Sequence, residues 1–102
     1  MIRHAVFFAF KTGVSNTACE QHIGDFAKLP GEISEIAQYE WGTVIAGPDA
    51  KQGREFHVAH YLLFDDTEAL QTYIEHPAHQ TFIDRNRSSW AGVKVVDSEI
   101  EA

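Results

Sequence analysis

The opening segment, Ile2 to Lys11 (IRHAVFFAFK), constrains the fold most, because it is apolar at almost every position. Its Val, Ile and Phe content predicts a β-strand, in which successive side chains point to opposite faces of a sheet. The two faces would carry Ile2, His4, Val6, Phe8 and Phe10, and Arg3, Ala5, Phe7, Ala9 and Lys11. A strand with one solvated face is polar at every second position. We therefore expect both faces of this sheet to be covered.

The remaining segments predict the order β-α-β-β-α-β. Helix and strand patterns with Gly, Pro and Asp at their ends define the elements. The first elements are a strand 2–11, ending before Gly13, and a helix 15–29 with Thr17 and Glu20 at capping-box spacing and an apolar stripe of Cys19, Ile23, Phe26 and Ala27. Strands 36–46 and 56–64 follow, joined by the loop 47–53 (GPDAKQG). The last elements are a helix capped by Asp65 or Asp66 and broken at Pro77, a helical piece to Ser89, and a strand 93–100. This order predicts an α+β, ferredoxin-like domain with an antiparallel sheet, in a single domain spanning residues 1–102.

The second sheet face predicts a partner. Helices of a ferredoxin-like domain cover one face only, yet the third strand also carries Ala59, Tyr61 and Leu63 opposite its other apolar row. A second copy packed sheet to sheet is the simplest cover. We therefore expect a homodimer through the sheet faces, a dimeric α+β barrel.

Composition excludes several classes of function. A formal net charge of −7 argues against nucleic-acid binding, which needs clustered Lys and Arg. Cys19 is the single cysteine, so we expect no internal disulfide and no cysteine-based zinc site. No apolar stretch approaches the roughly 18 residues of a membrane span, so we expect no membrane partner and a cytoplasmic location.

The segment YIEHPAH, from Tyr73 to His79, predicts a site. On one continuous helix these two side chains would lie about 240° apart. Pro77 disfavours helical geometry at the preceding residue, so the helix should break there and a corner can bring the two groups together. An inward tyrosine that stays protonated and a neutral inward histidine suit proton abstraction beside a carbonyl. The alternative is structural, with the imidazole bonded to a backbone carbonyl and the tyrosine in the core.

The sheet adds further polar groups on the inward side. Together the patterns predict an apolar chamber with His79 and Tyr73 as catalytic residues and with His4, Val6, Phe8, His22, Phe26, His60 and Phe82 as substrate-binding residues. No metal or other cofactor is expected, because His57 and His60 face opposite ways on a strand and the pair His76 and His79 spans the proline break.

Four stretches resemble the stress-responsive dimeric α/β-barrel domain family: MIRHAVFFAFK, the Trp41-Gly42 pair, the FDD of residues 64–66, and YIEHPAH. The resemblance covers essentially the whole chain and implies a ferredoxin-like fold that dimerises through its sheets. The sequence is also similar to plant polyketide cyclases of that family. That similarity implies cofactor-free aldol-type chemistry, with His79 as base, Tyr73 as acid and His4 in the pocket wall.

The hypotheses are therefore three. The first is a homodimer that binds a small, mostly apolar carbonyl compound and acts as a cofactor-free lyase or cyclase. The second, implied by family members that carry HPxH and are known only as stress-responsive, is a non-catalytic protein acting through dimer stability or ligand sequestration. A haem- or oxygen-using protein on the same architecture is the third.

Overall fold

The computed structural model describes residues 1–45 and 56–101. Its elements are β1 (Ile2–Phe10), α1 (Asn16–Ala27), α2 (Leu29–Glu32), β2 (Gln38–Thr43), β3 (Val58–Phe64), α3 (Thr67–Glu75), α4 (Pro77–Asn86), a 3₁₀ turn (Arg87–Ser89) and β4 (Trp90–Glu99). The predicted end of the second strand at Ala46 and the predicted loop 47–53 lie outside the described residues. The predicted order of strands and helices is confirmed for the rest.

The four strands form one antiparallel sheet in the order β2-β3-β1-β4. Val6 in the central strand β1 is paired with His60 of β3 on one side and Val95 of β4 on the other. The inward face of β1 is buried, as the alternation predicts, with Val6 4% and Phe8 3% exposed. This is the ferredoxin-like α+β fold expected from the sequence.

The helix after β1 differs from its prediction at both ends. Gly13, with φ +86°, turns the chain, and the Ser15 hydroxyl caps α1 by accepting the Ala18 N–H at 3.1 Å. The predicted capping box of Thr17 and Glu20 is therefore wrong, because both residues lie inside the helix. The chain then continues past Ala27 into the four-residue helix α2, since proline is tolerated in a first helical turn.

The buried stripe of α1 is also rotated from its prediction. His22 and Phe26, one helical turn apart, are the buried residues of α1, whereas Cys19 and Ile23 are half-buried and Ala27 is exposed. His22, which is not part of the predicted stripe, thus lies at the centre of the buried face of α1.

The helical corner at Pro77 is confirmed. Asp66 caps α3 by accepting the Ala69 N–H at 2.8 Å, which decides between the two aspartates. His76 interrupts the helix with φ −66° and ψ 137°, and its Nδ1 accepts the Ala78 N–H at the start of α4. Pro77 occupies the first turn of α4, where its missing N–H breaks no hydrogen bond.

The helices pack on one sheet face, and no helix of the described residues covers the other. The core between them is formed by Ile2, Val6, Phe8, Phe26, Leu29, Ile33, Ile36, Leu62, Phe64, Tyr73 and Phe82. The opposite face carries the half-buried Ala5, Phe7 and Tyr61 and the exposed Val96. Trp41 is 44% exposed and lies on the edge strand β2. No helix within residues 1–45 and 56–101 is long and apolar enough to cross a membrane.

Candidate active site

A cavity of about 300 Å³ lies between the sheet and the helical corner. Four polar side chains, His4, Tyr73, His79 and Asp97, share its wall with apolar ones. The apolar lining consists of Val6, Phe8, Phe26, Ile74, Phe82, Ile83, Trp90, Val93 and Val95. Such an apolar pocket with a few convergent polar groups is typical of a small-molecule site.

The corner brings Tyr73 and His79 together. Their ring centroids are 4.5 Å apart, and the planes are inclined by 45°. Tyr73, in the last turn of α3, is 1% exposed, and His79, in the first turn of α4, is half-buried. The break at Pro77 makes this contact possible, because a continuous helix would separate the two side chains.

The hydrogen bond of His79 fixes its tautomer. Its Nδ1 lies 3.0 Å from the Ile74 carbonyl oxygen, and because a carbonyl only accepts, Nδ1 carries the proton. The lone pair is then on Nε2. Burial lowers the pKa of His79, the Ile74 hydrogen bond partly offsets this, and His4 lowers it further. The imidazole is therefore neutral at pH 7 and able to accept a proton.

The Tyr73 phenol holds its proton, whereas His79 can accept one. Burial raises its pKa, and the nearby Tyr39 phenol raises it further. Tyr73 is among the residues that line the cavity, and because its phenol stays protonated at pH 7 it can act there as a proton donor.

A pair that the sequence analysis missed lies beside these groups. His4 on β1 and Asp97 on β4 are cross-strand partners, and His4 Nδ1 donates to Asp97 Oδ1 at 2.6 Å. The His4 ring is 5.6 Å from that of Tyr73, centroid to centroid. The cavity thus holds two imidazoles, one held by a backbone carbonyl and one by a carboxylate.

His22 and His60 are not part of the cavity wall. Both are fully buried behind it, with their Nε2 atoms 3.1 Å apart. Burial lowers the pKa of His22 to about 4, although Asp25 raises it slightly, and burial together with His22 lowers that of His60 to about 3. The structure does not bring these two predicted substrate-binding residues to the cavity wall, where Phe8 and Phe26, which pack against their rings, stand instead.

The other predicted site residues lie together around the cavity. His79 and Tyr73 line one cavity together with His4, Val6, Phe8, Phe26 and Phe82. Trp90, which is not among the predicted site residues, also lines it. In residues 1–45 and 56–101, no three His, Cys, Asp or Glu side chains come close enough to hold a metal ion.

The fold and the cavity define a small ferredoxin-like α+β domain with acid–base groups in an apolar pocket. The family model of the stress responsive A/B barrel domain matches residues 2–100, so the chain belongs to that family. It is 31% identical over 96 residues to the stress-response A/B barrel domain-containing protein HS1 of Arabidopsis thaliana, covering 94% of this chain and 86% of that protein.

Two further relatives extend this comparison. The olivetolic acid cyclase of Cannabis sativa is 26% identical over 96 residues, which covers 94% of this chain and 93% of the cyclase. A crystal structure of a dimeric ferredoxin-like protein of unknown function from Thermobifida fusca superposes with a TM-score of 0.80 at 25% identity, covering 97% of this chain and 90% of that one. The family resemblance and the ferredoxin-like fold expected from the sequence are thereby confirmed.

Proposed function

We propose that this protein binds a small, mostly apolar carbonyl compound in the cavity and catalyses cofactor-free proton transfer on it, as a lyase or cyclase does. One observation carries the proposal. The Ile74 carbonyl holds the proton of His79 on Nδ1 and leaves the lone pair on Nε2, in a ring that lies 4.5 Å from the Tyr73 ring, centroid to centroid. The cyclase among the relatives supports the same class of chemistry.

In the proposed reaction, His79 Nε2 removes a proton from the carbon next to the substrate carbonyl. The electron pair of the broken C–H bond moves to the carbonyl oxygen, and the Tyr73 hydroxyl donates a hydrogen bond to the resulting enolate. The enolate carbon then either takes a proton back from His79 or attacks a second carbonyl carbon of the same molecule. In the second case the π bond of that carbonyl breaks, and the alkoxide formed takes the proton from the His79 imidazolium. Positioned acid–base groups of this kind contribute about 10² to 10⁴ in rate.

Acetophenone in D₂O tests the chemistry without knowledge of the natural substrate. Abstraction of a methyl proton by His79, exchange of the imidazolium proton with solvent, and return of a deuteron replace the methyl hydrogens one at a time. Loss of the methyl signal in the proton NMR spectrum measures the rate. His79→Ala and Tyr73→Phe should each slow the protein-catalysed exchange at least about 100-fold.

His57→Gln is the matched control, because it removes an exposed imidazole that does not line the cavity. It should leave the exchange rate unchanged. If acetophenone exchange survives both His79→Ala and Tyr73→Phe, the catalytic assignment is wrong.

The competing function is non-catalytic, and the stress-response relative favours it. In that case the cavity sequesters its ligand, and His79 serves only to tie α4 to the last turn of α3. Acetophenone would then shift the NMR signals of cavity residues without any methyl exchange above the buffer rate.

We also propose that two copies pack through their open sheet faces. Phe7 lies on this face with the Tyr61 ring 6.3 Å away, centroid to centroid, and the dimeric relative from Thermobifida fusca supports the arrangement. Light scattering at micromolar concentration should give the mass of a dimer, and Phe7→Lys should give that of a monomer. A monomeric wild-type protein would contradict the proposal.

A further inference from the structure

Four polar side chains form a continuous hydrogen-bonded chain that begins in the cavity wall and runs behind it. The indole Nε1–H of Trp90 donates to His22 Nδ1 at 3.0 Å. His22 Nε2 and His60 Nε2 are 3.1 Å apart, and His60 Nδ1 and the Tyr39 hydroxyl are 2.8 Å apart. The chain runs from β4 through α1 and β3 to the edge strand β2.

The direction of each of these three hydrogen bonds is determined. An indole nitrogen can only donate, so His22 Nδ1 must accept, and a neutral His22 then carries its proton on Nε2. His60 Nε2 accepts that proton, which places the proton of His60 on Nδ1, where it is donated to the Tyr39 oxygen. All three bonds therefore point the same way, away from the cavity, and they require both imidazoles to be neutral.

The surroundings of the chain are apolar and tightly stacked. Phe26 lies flat against His60 with ring centroids 3.7 Å apart and planes 6° apart, and Phe8 meets His22 edge-on at 4.4 Å. Both histidines are 0% exposed. Apolar side chains of similar volume would fill this space without the desolvation of two imidazoles, so stability alone gives no reason for the polar chain.

We infer that His22, His60 and Tyr39 are positioning residues, which hold the Trp90 indole in a single orientation as the apolar wall of the ligand cavity. Trp90 is the one member that lines the cavity, and its ring packs 4.7 Å from Phe8, centroid to centroid. Its part-buried N–H has His22 Nδ1 as its acceptor, and rotating the indole away would break this hydrogen bond. Fully satisfied buried networks of this kind select one arrangement of a core.

The effect of this chain on ligand binding rests on the proposed function, whereas the fixed orientation of the Trp90 indole does not. A planar indole in a fixed position gives an aromatic or flat conjugated part of a carbonyl compound a surface to stack on, while the carbonyl meets His79 and Tyr73. The chain thus determines which ligand shapes fit, although His22, His60 and Tyr39 do not line the cavity.

The test begins with the tautomers. Two-bond proton–nitrogen NMR spectra of ¹⁵N-labelled protein at pH 7 should show His22 protonated on Nε2 and His60 protonated on Nδ1. Trp90→Phe, which keeps an aromatic ring but removes the donor, should abolish this fixed assignment at His22. The opposite tautomer at His22 in the wild-type protein would overturn the inference.

Paired variants then test the orientation of the indole. Trp41→Phe leaves Trp90 as the only tryptophan, so its indole N–H signal and its fluorescence anisotropy report on this ring alone. In that background His22→Leu should shift the signal and lower the anisotropy. His22→Asn places an oxygen close to the position of Nδ1 and should restore both. If His22→Leu leaves both unchanged, Trp90 is not held by this chain.

Acetophenone binding, followed through the Trp90 indole signal, tests the consequence. His22→Leu should weaken binding about tenfold, the equivalent of one hydrogen bond at about 1.4 kcal/mol, and His22→Asn should recover most of it. Equal affinity in all three proteins would overturn the role in ligand fit. A wild-type protein that does not bind acetophenone contradicts the proposed function, whereas the tautomers and the anisotropy still decide whether Trp90 is positioned.

Discussion

Lowering the pH from 7 to 4 is expected to destabilise the fold through its two fully buried imidazoles. The folded-state pKa is about 4 for His22 and about 3 for His60, because burial disfavours the charged ring. In the unfolded chain both return to about 6.5. Below pH 6.5 the unfolded state therefore binds protons that the folded state does not, and the free energy of unfolding falls with pH. The loss continues until about pH 4 for His22 and about pH 3 for His60.

The expected loss is large for a domain of this size. One pKa unit corresponds to about 1.4 kcal/mol, so each imidazole contributes a loss on the order of 3 kcal/mol between pH 7 and 4. Domains are stable by only about 5 to 15 kcal/mol. Among the groups that face the two rings, Asp25 stays ionised through most of this range, since Arg85 and Asn86 hold its pKa below the usual value against its partial burial. Tyr39 stays neutral, because burial raises its pKa.

Urea unfolding at a series of pH values from 7 to 4 measures the effect. Far-UV circular dichroism should give a midpoint that falls steadily below pH 6.5, at a fixed protein concentration because a dimer would make the midpoint concentration-dependent. The double variant His22→Leu/His60→Leu should lose most of this slope. His57→Gln, which removes an exposed imidazole, should keep it. A double variant with the wild-type slope would show that other groups cause the acid sensitivity.

Three smaller predictions concern single side chains. Asp66→Ala removes the α3 cap and should lower the free energy of unfolding by about 1 kcal/mol, measured by urea unfolding at pH 7. Phe64→Ala empties a fully buried position and should lower it by about 3 to 5 kcal/mol in the same assay. Asp97→Asn keeps an acceptor for His4 but removes the charge of a 40% exposed carboxylate, so it should lower the free energy of unfolding by about 1 kcal/mol or less in the same assay; a larger loss would mean that the exposure of Asp97 does not weaken its contact with the buried His4.

The sequence was sufficient for the fold because alternation and helix breakers are local signals. The inward row of β1 and the helical corner at Pro77 follow from neighbours in the chain. The ends of elements depend on tertiary contacts instead. The last strand begins at Trp90 rather than Val93, because β1 extends far enough for Phe10 to pair with Trp90 across a bulge.

The site was only partly predictable, for a related reason. Tyr73 and His79 are six residues apart, and the proline between them reveals the corner. His4 and Asp97 are 93 residues apart and meet only through the register of β1 and β4. Their pairing depends on which residue of β4 lies opposite His4, and a shift by one residue would turn Asp97 to the other face. Local sequence carries no information on that register.

The role of each histidine depends on its partner more than on its position along the chain. A backbone carbonyl at Nδ1 makes His79 a neutral base with its lone pair on Nε2. A carboxylate at the same atom of His4 accepts its Nδ1 proton and ties the ring to β4. The donor-only indole at Nδ1 of His22 reverses the tautomer, so its Nε2 donates to His60 and is closed to any ligand. Three inward imidazoles that the sequence alone would group together are therefore expected to do three different things, and exchanging their partners should exchange their behaviour.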